Sequence, residues 1–458
     1  MYIKELRVRN LKLLRDPVVP FTHSDGSARQ WTVFVGENGL CKTSLLHAVA
    51  MAASGATRSN QLANVPSLRD KRHPGELLEV EARFGFSTEF HAAREYPGLE
   101  NKPQVPPDLV STVGLPPDFS QLVGGSTFVE AGTERPLPVD LKWELDPLSV
   151  ARARNLPHWF VVGYGVGRRL PVPQSHREEL DPAQDRLRSL FDATHTIVGT
   201  DFISRFDDPR AREYARRLRE ALIEFGILPR MGDLELRGRG GVTSPAVLLE
   251  SHRFEQIFSR GKLKIPAVWL SHGYQSTISW IADLIGQVLQ EARSTNVPLD
   301  QMEGIVLIDE LDLHLHPRWQ QTLIETLRNA FKRLQFIATT HSPMVLPGLR
   351  HDEIFIMRQN DEGDVHAEQA SQSARLMTGS ELYRSFFDIT TVYPNELGQK
   401  LRDYGYLAGN PFRTDAEDSR MRQLLADLHS EGIEPEWSPV PRQTLPGNDP
   451  MPPSGAAS

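Results

Sequence analysis

The chain has 458 residues, a formal net charge of -8 and one cysteine. This length allows a large core and about two or three domains. The negative balance excludes a global basic field for nucleic acid, and one cysteine excludes an internal disulfide framework. The sequence shows no signal peptide and no run of about 18 apolar residues, so we expect a mixed α/β protein of the reducing cytoplasm without a membrane span.

The first third of the chain predicts several strands around one helix. Apolar residues that alternate or run on continuously indicate strands at residues 2–10, 31–35, 79–86, 139–145 and 159–162. The Leu- and Ala-rich residues 43–53 predict a helix. Residues 97–138 contain eight prolines and several glycines, which predicts an irregular and exposed stretch.

The rest of the chain changes character twice. Residues 176–235 predict a small helical insertion, and short strands at 234–237 and 246–249 are expected to return to the core. From residue 270 onward strand and helix alternate, which predicts a parallel sheet. The elements expected there are helices at 274–292 and 317–331 and strands at 304–308, 336–339 and 354–357.

Residues 36–43 show the pattern of a phosphate-binding loop between a buried strand and a helix. Glycines let successive backbone N–H groups face the phosphates, and the helix N-terminus adds its dipole. Lys42 is predicted to neutralise the β- and γ-phosphates in catalysis, and the Thr43 hydroxyl to bind Mg²⁺. The residues predicted to bind nucleotide here are Gly36, Glu37, Asn38, Gly39, Leu40, Cys41, Lys42, Thr43 and Ser44.

Cys41 stands where such loops normally carry glycine. A side chain here crowds the phosphates or demands a costlier backbone conformation. Because Cys41 lies at a helix N-terminus beside Lys42, we hypothesise that its thiol is reactive and that alkylating it blocks ATP binding. The alternative is a tolerated small residue without redox meaning.

Asp309 and Glu310 end a wholly apolar strand, where two carboxylates are costly unless they serve a charged ligand. Asp309 is predicted to bind Mg²⁺, and Glu310 to be the base that activates the attacking water. The alternative is a structural pair at a strand end. His341 follows the next buried strand, and we predict that it contacts the γ-phosphate as a catalytic switch.

Residues 270–273 read Leu-Ser-His-Gly before a long helix, so Ser271 and Gly273 are predicted to bind a γ-phosphate with that helix N-terminus. This segment is expected to lie too far along the sheet to serve the P-loop of its own chain. His314 and His316 alternate in the loop after Glu310. We expect this loop at a dimer interface, with a metal-binding pair as the alternative.

Together these motifs resemble the ABC-type ATPases of the SMC, RecF and OLD group. The stretch from Asp309 to Pro317, with Trp319 and Gln320, is especially similar to OLD-like AAA-family ATPases of bacterial anti-phage systems, of the Septu or retron-associated type. The opening residues 3–12 resemble the first strand and turn of the group. The similarity covers residues 1–60, 155–170 and 265–360, and the regions between are idiosyncratic.

The resemblance implies an α/β fold, an ABC-type P-loop NTPase head with a mixed sheet, an antiparallel β subdomain and a helical insertion. The expected regions are an N-terminal ATPase lobe (1–175), the insertion (176–235), a C-terminal ATPase lobe (236–360), a helical region (361–432) and a disordered tail (433–458). The resemblance also implies ATP and Mg²⁺ as cofactors and Lys12 near the nucleotide. A glutamine of the Q-loop is expected as well, with Gln174 and Gln184 as candidates.

By the same resemblance, two heads sandwich two ATP molecules, and Ser271 and Gly273 reach the nucleotide of the opposite head. The sequence leaves no room for a long coiled coil, and after His341 it lacks the Asp-x-Asp of a TOPRIM nuclease. We therefore expect an ATPase that gates a separate nuclease in anti-phage defence. The alternatives are a RecF-like DNA repair ATPase and a nucleotide-binding scaffold that hydrolyses little ATP because of Cys41.

Direct contact with DNA stays an open alternative, because the middle of the chain is locally basic. The competing interpretation is a set of solvated helix faces with ion pairs to Glu213 and Glu220. The arginines concerned are Arg152, Arg154, Arg168, Arg169, Arg216, Arg217 and Arg219.

Overall fold

The computed structural model describes residues 1–86, 108–129, 146–153, 159–168, 181–236, 252–258, 261–291, 299–389, 395–435 and 437–443. The chain divides into two compact units, Met1–Met377 and Thr378–Ser458. The first unit therefore continues past residue 361, where the sequence predicts that a C-terminal helical region begins.

Strands and helices alternate through the first unit, and the second unit is helical. The described strands are β1 (Tyr2–Arg9), β2 (Val18–Pro20), β3 (Trp31–Val35), β4 (Leu78–Gly85), β5 (Asp108–Leu115), β6 (Val123–Val129), β7 (Val161–Tyr164), β8 (Met231–Glu235), β9 (Arg253–Phe258), β10 (Gly261–Pro266), β11 (Gly304–Ile308), β12 (Leu334–Thr339), β13 (Ile354–Gln359) and β14 (Val365–Gln369). The helices of the first unit are α1 (Lys42–Leu62), α2 (Pro147–Ala153), α3 (Pro182–Phe191), α4 (Phe202–Arg205), α5 (Asp208–Arg219), α6 (His272–Glu291) and α7 (Pro317–Ala330). The second unit contains α8 (Gly379–Phe387), α9 (Asn395–Gly409) and α10 (Asp415–Ser430).

A six-stranded sheet in the order β14-β13-β3-β12-β11-β7 forms the centre of the first unit. The strands from β13 to β7 are parallel, and β14 pairs antiparallel at one edge. Strands β3, β11 and β12 are buried over their whole length, as continuous apolar runs in a parallel sheet require. Trp31 on β3 stacks on Phe336 on β12 with ring centroids 4.4 Å apart. The predicted α/β fold with a parallel sheet is confirmed.

A second sheet, β2-β1-β4-β5-β6, is antiparallel throughout. The prediction of an irregular, exposed stretch at residues 97–138 is wrong for β5 and β6. The prolines Pro116 and Pro117 lie in the turn after β5, while Asp108–Leu115 itself contains none. Pairing with β4 buries apolar residues of β5, as in the pair Val80–Val113. Residues 97–107 and 130–138 and the predicted strand at 139–145 lie outside the described residues.

Helix α1 leads away from the P-loop and runs beyond the predicted residue 53 to Leu62, with a kink at Gly55 (φ 78°). A Cβ atom at Gly55 would lie 2.9 Å from Cδ of Pro147, so the crossing with α2 leaves no space for a side chain. Helix α3 packs beside α1. The Nε2 atom of His47 lies 3.0 Å from the Leu190 carbonyl oxygen, and the His47 ring stacks on Phe191. Although it falls within the predicted helical insertion, α3 thus packs against the helix that follows the P-loop.

Among the described residues of the first unit, the third sheet is three-stranded and antiparallel, in the order β10-β9-β8. The predicted strand at 234–237 corresponds to β8, and the one at 246–249 lies outside the described residues. Among the described residues, no helix is long and apolar enough to cross a membrane.

The second unit packs α9 against α10 around Tyr404, Leu407 and Leu428. The prediction of a disordered tail from residue 433 is wrong for residues 437–443, which lie along these helices. Tyr404 donates a hydrogen bond of 2.9 Å from Oη to the Trp437 carbonyl, and Arg413 donates one of 2.9 Å to the Val440 carbonyl. These two side chains hold the main chain of a segment whose Pro-, Gly- and Ser-rich composition predicts disorder. Residues 444–458 lie outside the described residues.

Candidate functional site

Four loops follow neighbouring parallel strands at one edge of the six-stranded sheet. They come after β3 (residues 36–41), β7 (165–168), β11 (309–316) and β12 (340–342). Parallel strands bring their carboxyl ends to the same edge, where open α/β sheets bind their ligands. The structure thus brings the predicted P-loop, the acidic pair and the predicted switch histidine together.

The P-loop has the backbone that close approach to phosphates requires. Gly36 (φ 145°) and Gly39 (φ 86°) occupy conformations that favour glycine. A Cβ atom at Gly36 would lie 2.9 Å from the Met357 carbonyl oxygen of β13. Cys41 adopts the left-handed conformation (φ 55°, ψ 20°) as the N-cap of α1, which costs a non-glycine residue about 1–2 kcal/mol. The loop therefore holds its shape with a side chain at this position.

Lys42 is buried and folds back onto its own loop. Its Nζ atom donates hydrogen bonds to the carbonyl oxygens of Gly36 (2.8 Å) and Glu37 (2.7 Å). Burial lowers the pKa of Lys42 to about 8, and the carboxylates of Asp309 and Glu310 oppose this shift. Phosphate oxygens would offer this ammonium a charged partner in place of the two neutral carbonyls.

Thr43 and Asp309, both predicted to bind Mg²⁺, are in direct contact. The Oγ1 atom of Thr43 lies 3.0 Å from each carboxylate oxygen of Asp309. Thr339, at the end of β12, donates a hydrogen bond of 2.7 Å from Oγ1 to Asp309 Oδ1. A hydroxyl and a carboxylate are the oxygen ligands that Mg²⁺ takes together with phosphates and water, so this pair fits the ion.

Glu310 follows Asp309 in a left-handed conformation (φ 48°). Its N–H donates a hydrogen bond of 2.8 Å to Thr339 Oγ1, and the next N–H, of Leu311, donates one of 2.8 Å to the Thr339 carbonyl. Burial raises the pKa of Glu310, and the neighbouring carboxylates of Asp309 and Asp312 raise it further. A raised pKa is typical of a carboxylate that accepts a proton from water.

Arg168 lies in the loop after β7 and is only 2% exposed. It donates a hydrogen bond of 2.6 Å from Nη1 to the Asp309 carbonyl and one of 2.6 Å from Nη2 to the Glu310 carbonyl. Burial lowers its pKa to about 10, which the carboxylates around it oppose. The interpretation of Arg168 as a DNA-contacting residue is therefore wrong, because its guanidinium is enclosed behind the acidic pair.

The helical arginines in the candidate DNA cluster are also engaged within the chain. Arg217 is buried and donates to Glu213 (2.7 Å), Arg216 also donates to Glu213 (2.7 Å), and Arg219 pairs with Asp233. These contacts match the ion-paired helix face that the sequence left as the alternative. Arg154, Arg169 and the side chain of Arg152 lie outside the described part of the chain.

His341 follows β12, and its loop is fastened to the segment after Glu310. Thr340 donates a hydrogen bond of 2.6 Å from Oγ1 to Asp312 Oδ1, and the His341 N–H lies 3.3 Å from the same oxygen. Gln320 on α7 accepts a hydrogen bond of 2.6 Å from Ser342 Oγ and donates to the Asp312 carbonyl. Burial and the charge of Lys42 lower the pKa of His341, which keeps its imidazole neutral near pH 7.

Ser271 is exposed directly before α6, and Gly273 is buried in the first turn of that helix. A Cβ atom at Gly273 would collide with the carbonyl oxygen of His314, so the loop after Glu310 passes directly over this turn. Neither His314 nor His316 belongs to a described group of three His, Cys, Asp or Glu residues that could hold a metal ion. The roles of Ser271 and Gly273 in binding phosphate stay predictions.

Lys12 and the Q-loop candidates differ in how far the structure places them. Lys12 has a positive φ of 53°, and its N–H donates a hydrogen bond of 2.9 Å to the Leu68 carbonyl. Burial lowers the pKa of His47 on α1, and the positive charge of Lys12 contributes a smaller lowering. Gln184 is buried within α3, and Gln174 lies outside the described residues. Contact of Lys12 with the nucleotide stays a prediction.

Four residues that organise the site were not singled out for it from the sequence: Arg168, Asp312, Gln320 and Thr339. Thr339 ends the buried strand β12, as Asp309 directly follows the buried strand β11, and that position at a strand end is the signal that points to it. Arg168 has no such signal, because an arginine that follows Gly165-Val166-Gly167 and precedes Arg169 is indistinguishable from a surface residue in sequence.

Comparison with known proteins agrees with this geometry. Residues 144–346 match the family model described as "AAA domain, putative AbiEii toxin, Type IV TA system", a range that includes the acidic pair and His341 but not the P-loop. The chain is 24% identical over 433 residues to the Septu protein PtuA of Bacillus mycoides (strain KBAB4), covering 93% of this chain and 50% of that protein. It is also 44% identical over 92 residues to the Retron Vc95 probable ATPase of Vibrio cholerae serotype O1 biovar El Tor, covering 20% of this chain and 18% of that protein.

Among solved structures, an Smc head bound to the C-winged helix domain of ScpA aligns with a TM-score of 0.47 at 15% identity, covering 80% of this chain and 98% of that one. The chain spans half the length of the Septu relative and a smaller part of the retron protein. The predicted resemblance is confirmed for the Septu and retron-associated ATPases, to which this chain is similar.

Proposed function

We propose that this chain binds and hydrolyses ATP with Mg²⁺ between two paired heads, and that the pairing gates a separate nuclease in anti-phage defence in the cytoplasm. The observation that carries the proposal is the contact of Thr43 with Asp309, 3.0 Å to either carboxylate oxygen, which joins the P-loop to the acidic pair. The two segments are 266 residues apart in sequence.

The chemistry follows from the groups at the sheet edge. Lys42 and the P-loop N–H groups hold the β- and γ-phosphates, and Thr43 and Asp309 hold Mg²⁺, which withdraws charge from phosphate oxygens when bound. Glu310 accepts a proton from water while the water oxygen attacks the γ-phosphorus. The bond to the β,γ-bridging oxygen breaks, and ADP and phosphate leave. His341, neutral near pH 7, donates a hydrogen bond to the γ-phosphate.

Pairing of two heads is supported by the exposed Ser271 at the start of α6, a 20-residue helix whose N-terminus favours an anion. In this arrangement Ser271 and Gly273 bind the γ-phosphate held by the other copy. The loop over Gly273 is the one that follows Glu310, so each head would couple its own acidic pair to its partner's nucleotide.

The role in defence and the nuclease partner are proposed from the Septu and retron relatives, of which the chain spans only part. Two other functions compete. A RecF-like DNA repair ATPase would show turnover stimulated by DNA without a partner. A scaffold with little hydrolysis is favoured by one observation, the left-handed Cys41 in the P-loop.

Hydrolysis is tested by comparing the wild-type chain with Glu310→Gln. We expect the variant to bind ATP with unchanged affinity and to turn over about 10²- to 10⁴-fold more slowly, the usual contribution of a general base. Glu325→Gln, on the exposed face of α7, is the matched control and should behave like wild type. Equal turnover in Glu310→Gln and wild type would refute the assignment, and negligible turnover in wild type would favour the scaffold.

The nuclease partner is tested by mild affinity purification with and without ATP, followed by mass spectrometry. A stoichiometric nuclease that binds differently in the two conditions is the expected result. Recovery with replication or repair proteins instead would favour the RecF-like function.

A further inference from the structure

Arg168 has surroundings unlike those of an ordinary ion-paired arginine. Its Nη atoms each donate a 2.6 Å hydrogen bond to consecutive main-chain carbonyls, those of Asp309 and Glu310. Nη1 also lies 3.3 Å from the Gly165 carbonyl, while Nε is buried without a hydrogen-bond partner among the described residues. The cation is therefore held by the backbone of the acidic pair.

We propose that Arg168 is a positioning residue for ATP hydrolysis, which fixes the Asp309–Glu310 turn so that Glu310 points at the attacking water. The inference rests on the proposed hydrolysis. It assigns to the loop after β7 a function that does not require contact with the nucleotide.

The first step in the argument is the strain at Glu310. A residue with a Cβ atom at φ 48° is in a disfavoured conformation and returns to the extended or right-handed region unless its neighbours prevent it. Two groups hold Glu310 in place. Thr339 Oγ1 accepts a hydrogen bond of 2.8 Å from its N–H, and Arg168 Nη2 donates one of 2.6 Å to its carbonyl. Removing either releases one end of the strained residue.

The second step is that Arg168 itself has little freedom. The Gly165–Arg168 loop approaches the end of α3 so closely that a Cβ atom at Gly165 would collide with the Ser189 carbonyl oxygen, and one at Gly167 with the Ala193 carbonyl oxygen. Asp309 N–H donates a hydrogen bond of 2.8 Å to the Tyr164 carbonyl at the end of β7. The guanidinium therefore projects from a rigid loop onto the next strand end.

The third step is the geometry of the side chain. A guanidinium offers paired donors in one plane, which match two adjacent carbonyls, whereas an ammonium is a point donor that can follow only one of them well. The two acidic side chains must separate, with Asp309 directed to Thr43 and Glu310 to the reacting water. Because the Arg168 guanidinium binds both carbonyls at once, it fixes the backbone orientation of Glu310 relative to Asp309.

The chain contains a matched control for burial and bonding. Arg29 is also 2% exposed, and it donates from Nη1 to the Pro20 carbonyl and from Nη2 to the Thr22 carbonyl, both at 2.8 Å. It precedes β3, at the amino end of the sheet, whereas Arg168 follows the carboxyl end of β7. Loss of the Arg29 guanidinium takes the donor from two carbonyls, and loss of the Arg168 guanidinium takes it from two close carbonyls and from the more distant Gly165 carbonyl. Of the two arginines, Arg168 alone touches the acidic pair.

The test compares Arg168→Met, Arg168→Lys and Arg29→Met by nucleotide-binding stoichiometry, Kd for ATP, KM and kcat. We expect Arg168→Met to bind one ATP per chain with a Kd within about twofold of wild type, and kcat to fall about 10²-fold, the scale of a misplaced catalytic group. Arg168→Lys should be intermediate. Arg29→Met should lose thermal stability and keep kcat.

A double-mutant cycle with Glu310→Gln separates positioning from an independent effect. If Arg168 acts through Glu310, adding Arg168→Met to Glu310→Gln lowers kcat by less than about threefold more, because residues that act as a unit are not additive. A full further 10²-fold loss would overturn the proposal, as would an unchanged kcat in Arg168→Met. Should Arg168→Met not fold, Arg168→Lys in the same cycle decides.

The two proposals fail in different ways. Negligible turnover in the wild-type chain would remove the proposed hydrolysis, and wild-type turnover in Glu310→Gln would remove Glu310 as the base and the positioning role that acts through it. Slow turnover in Glu310→Gln together with wild-type turnover in both Arg168 variants would leave ATP hydrolysis in place and remove the positioning role alone.

Discussion

Two residues of the candidate site, Cys41 and Glu310, adopt the same left-handed conformation with very different support. Cys41 (φ 55°) caps α1 without a side-chain cap bond, and its Sγ atom lies 3.9 Å from the Gly39 carbonyl. Glu310 (φ 48°) is bonded at both its N–H and its carbonyl, by Thr339 and Arg168. The conformation of Glu310 is held by tertiary contacts, whereas Cys41 is held within its own segment, where its carbonyl accepts the N–H of Leu45 at 3.1 Å.

The largest effect is expected when the Thr339 hydroxyl, which accepts the N–H of Glu310, is removed. Thr339→Val leaves the Glu310 N–H without its hydroxyl acceptor and removes one of the two hydroxyls that contact Asp309 Oδ1. The free energy of unfolding should fall by about 2–4 kcal/mol, roughly 1–3 kcal/mol for the unsatisfied N–H and about 1 kcal/mol for the lost bond to Asp309. Turnover should fall as well. Chemical denaturation and steady-state kinetics give the two readouts.

Thr32→Val is the control for Thr339→Val. Thr32 lies on β3 in the same sheet, is fully buried, and its hydroxyl has no hydrogen-bond partner among the described residues. Valine there should be neutral or stabilising. If Thr32→Val destabilises as much as Thr339→Val, the loss belongs to β-sheet packing and the support of Glu310 is unproven.

Alkylation tests Cys41 by adding volume at its side chain. A small maleimide or iodoacetamide adduct should weaken ATP binding about 5- to 150-fold, since forcing extra volume into a packed site costs about 1–3 kcal/mol. Bound ATP should slow the reaction. The measurement is Kd after complete labelling of this sole cysteine, with Cys41→Ala as the unlabelled control. Unchanged binding would leave Cys41 as a tolerated small residue.

A smaller effect is expected from the protonation of Lys42, which should make the affinity for ATP depend on pH. Burial lowers its pKa to about 8 in the free protein, so Lys42 is protonated below pH 8 and loses its proton above it. Phosphate binding favours the charged form and draws a proton back. ATP affinity should therefore weaken above pH 8, by up to about tenfold per pH unit, with proton uptake on binding.

Calorimetric titration at pH 8.5 in two buffers of different ionisation enthalpy measures this proton uptake. Lys42→Arg is the control, because guanidinium stays charged throughout this range. Equal uptake in Lys42→Arg and wild type would assign the proton to another group.

The smallest expected effect is that of Cys41→Gly. Glycine relieves the left-handed strain of about 1–2 kcal/mol, but it also gains freedom in the unfolded chain, so the net change in stability should stay within about 1 kcal/mol. Turnover should rise or stay level. Cys41→Val, with a branched side chain, should be clearly worse. A marked fall in turnover in Cys41→Gly would show that the thiol itself contributes.

Prediction from sequence was accurate where burial accounts for both the residue pattern and the observed strand. The apolar runs of β3, β11 and β12 predict buried parallel strands, because both faces of such strands are covered. It failed where the proline content of a long stretch hid two strands within it, β5 and β6. It failed again at residues 437–443, where the side chains of Tyr404 and Arg413 hold main-chain carbonyls of a segment of loop-like composition.

The sequence by itself determined the parts that lie close together in the chain: the P-loop Gly36–Thr43, the acidic pair after β11, and His341 after β12. Their chemistry depends on residue type and on the strand that each one follows. Only the tertiary structure decided how these parts support one another, by placing Thr339 and Arg168 on the two sides of Asp309 and Glu310. Parallel strand order sets these contacts, and no local pattern in the sequence encodes which strand ends become neighbours.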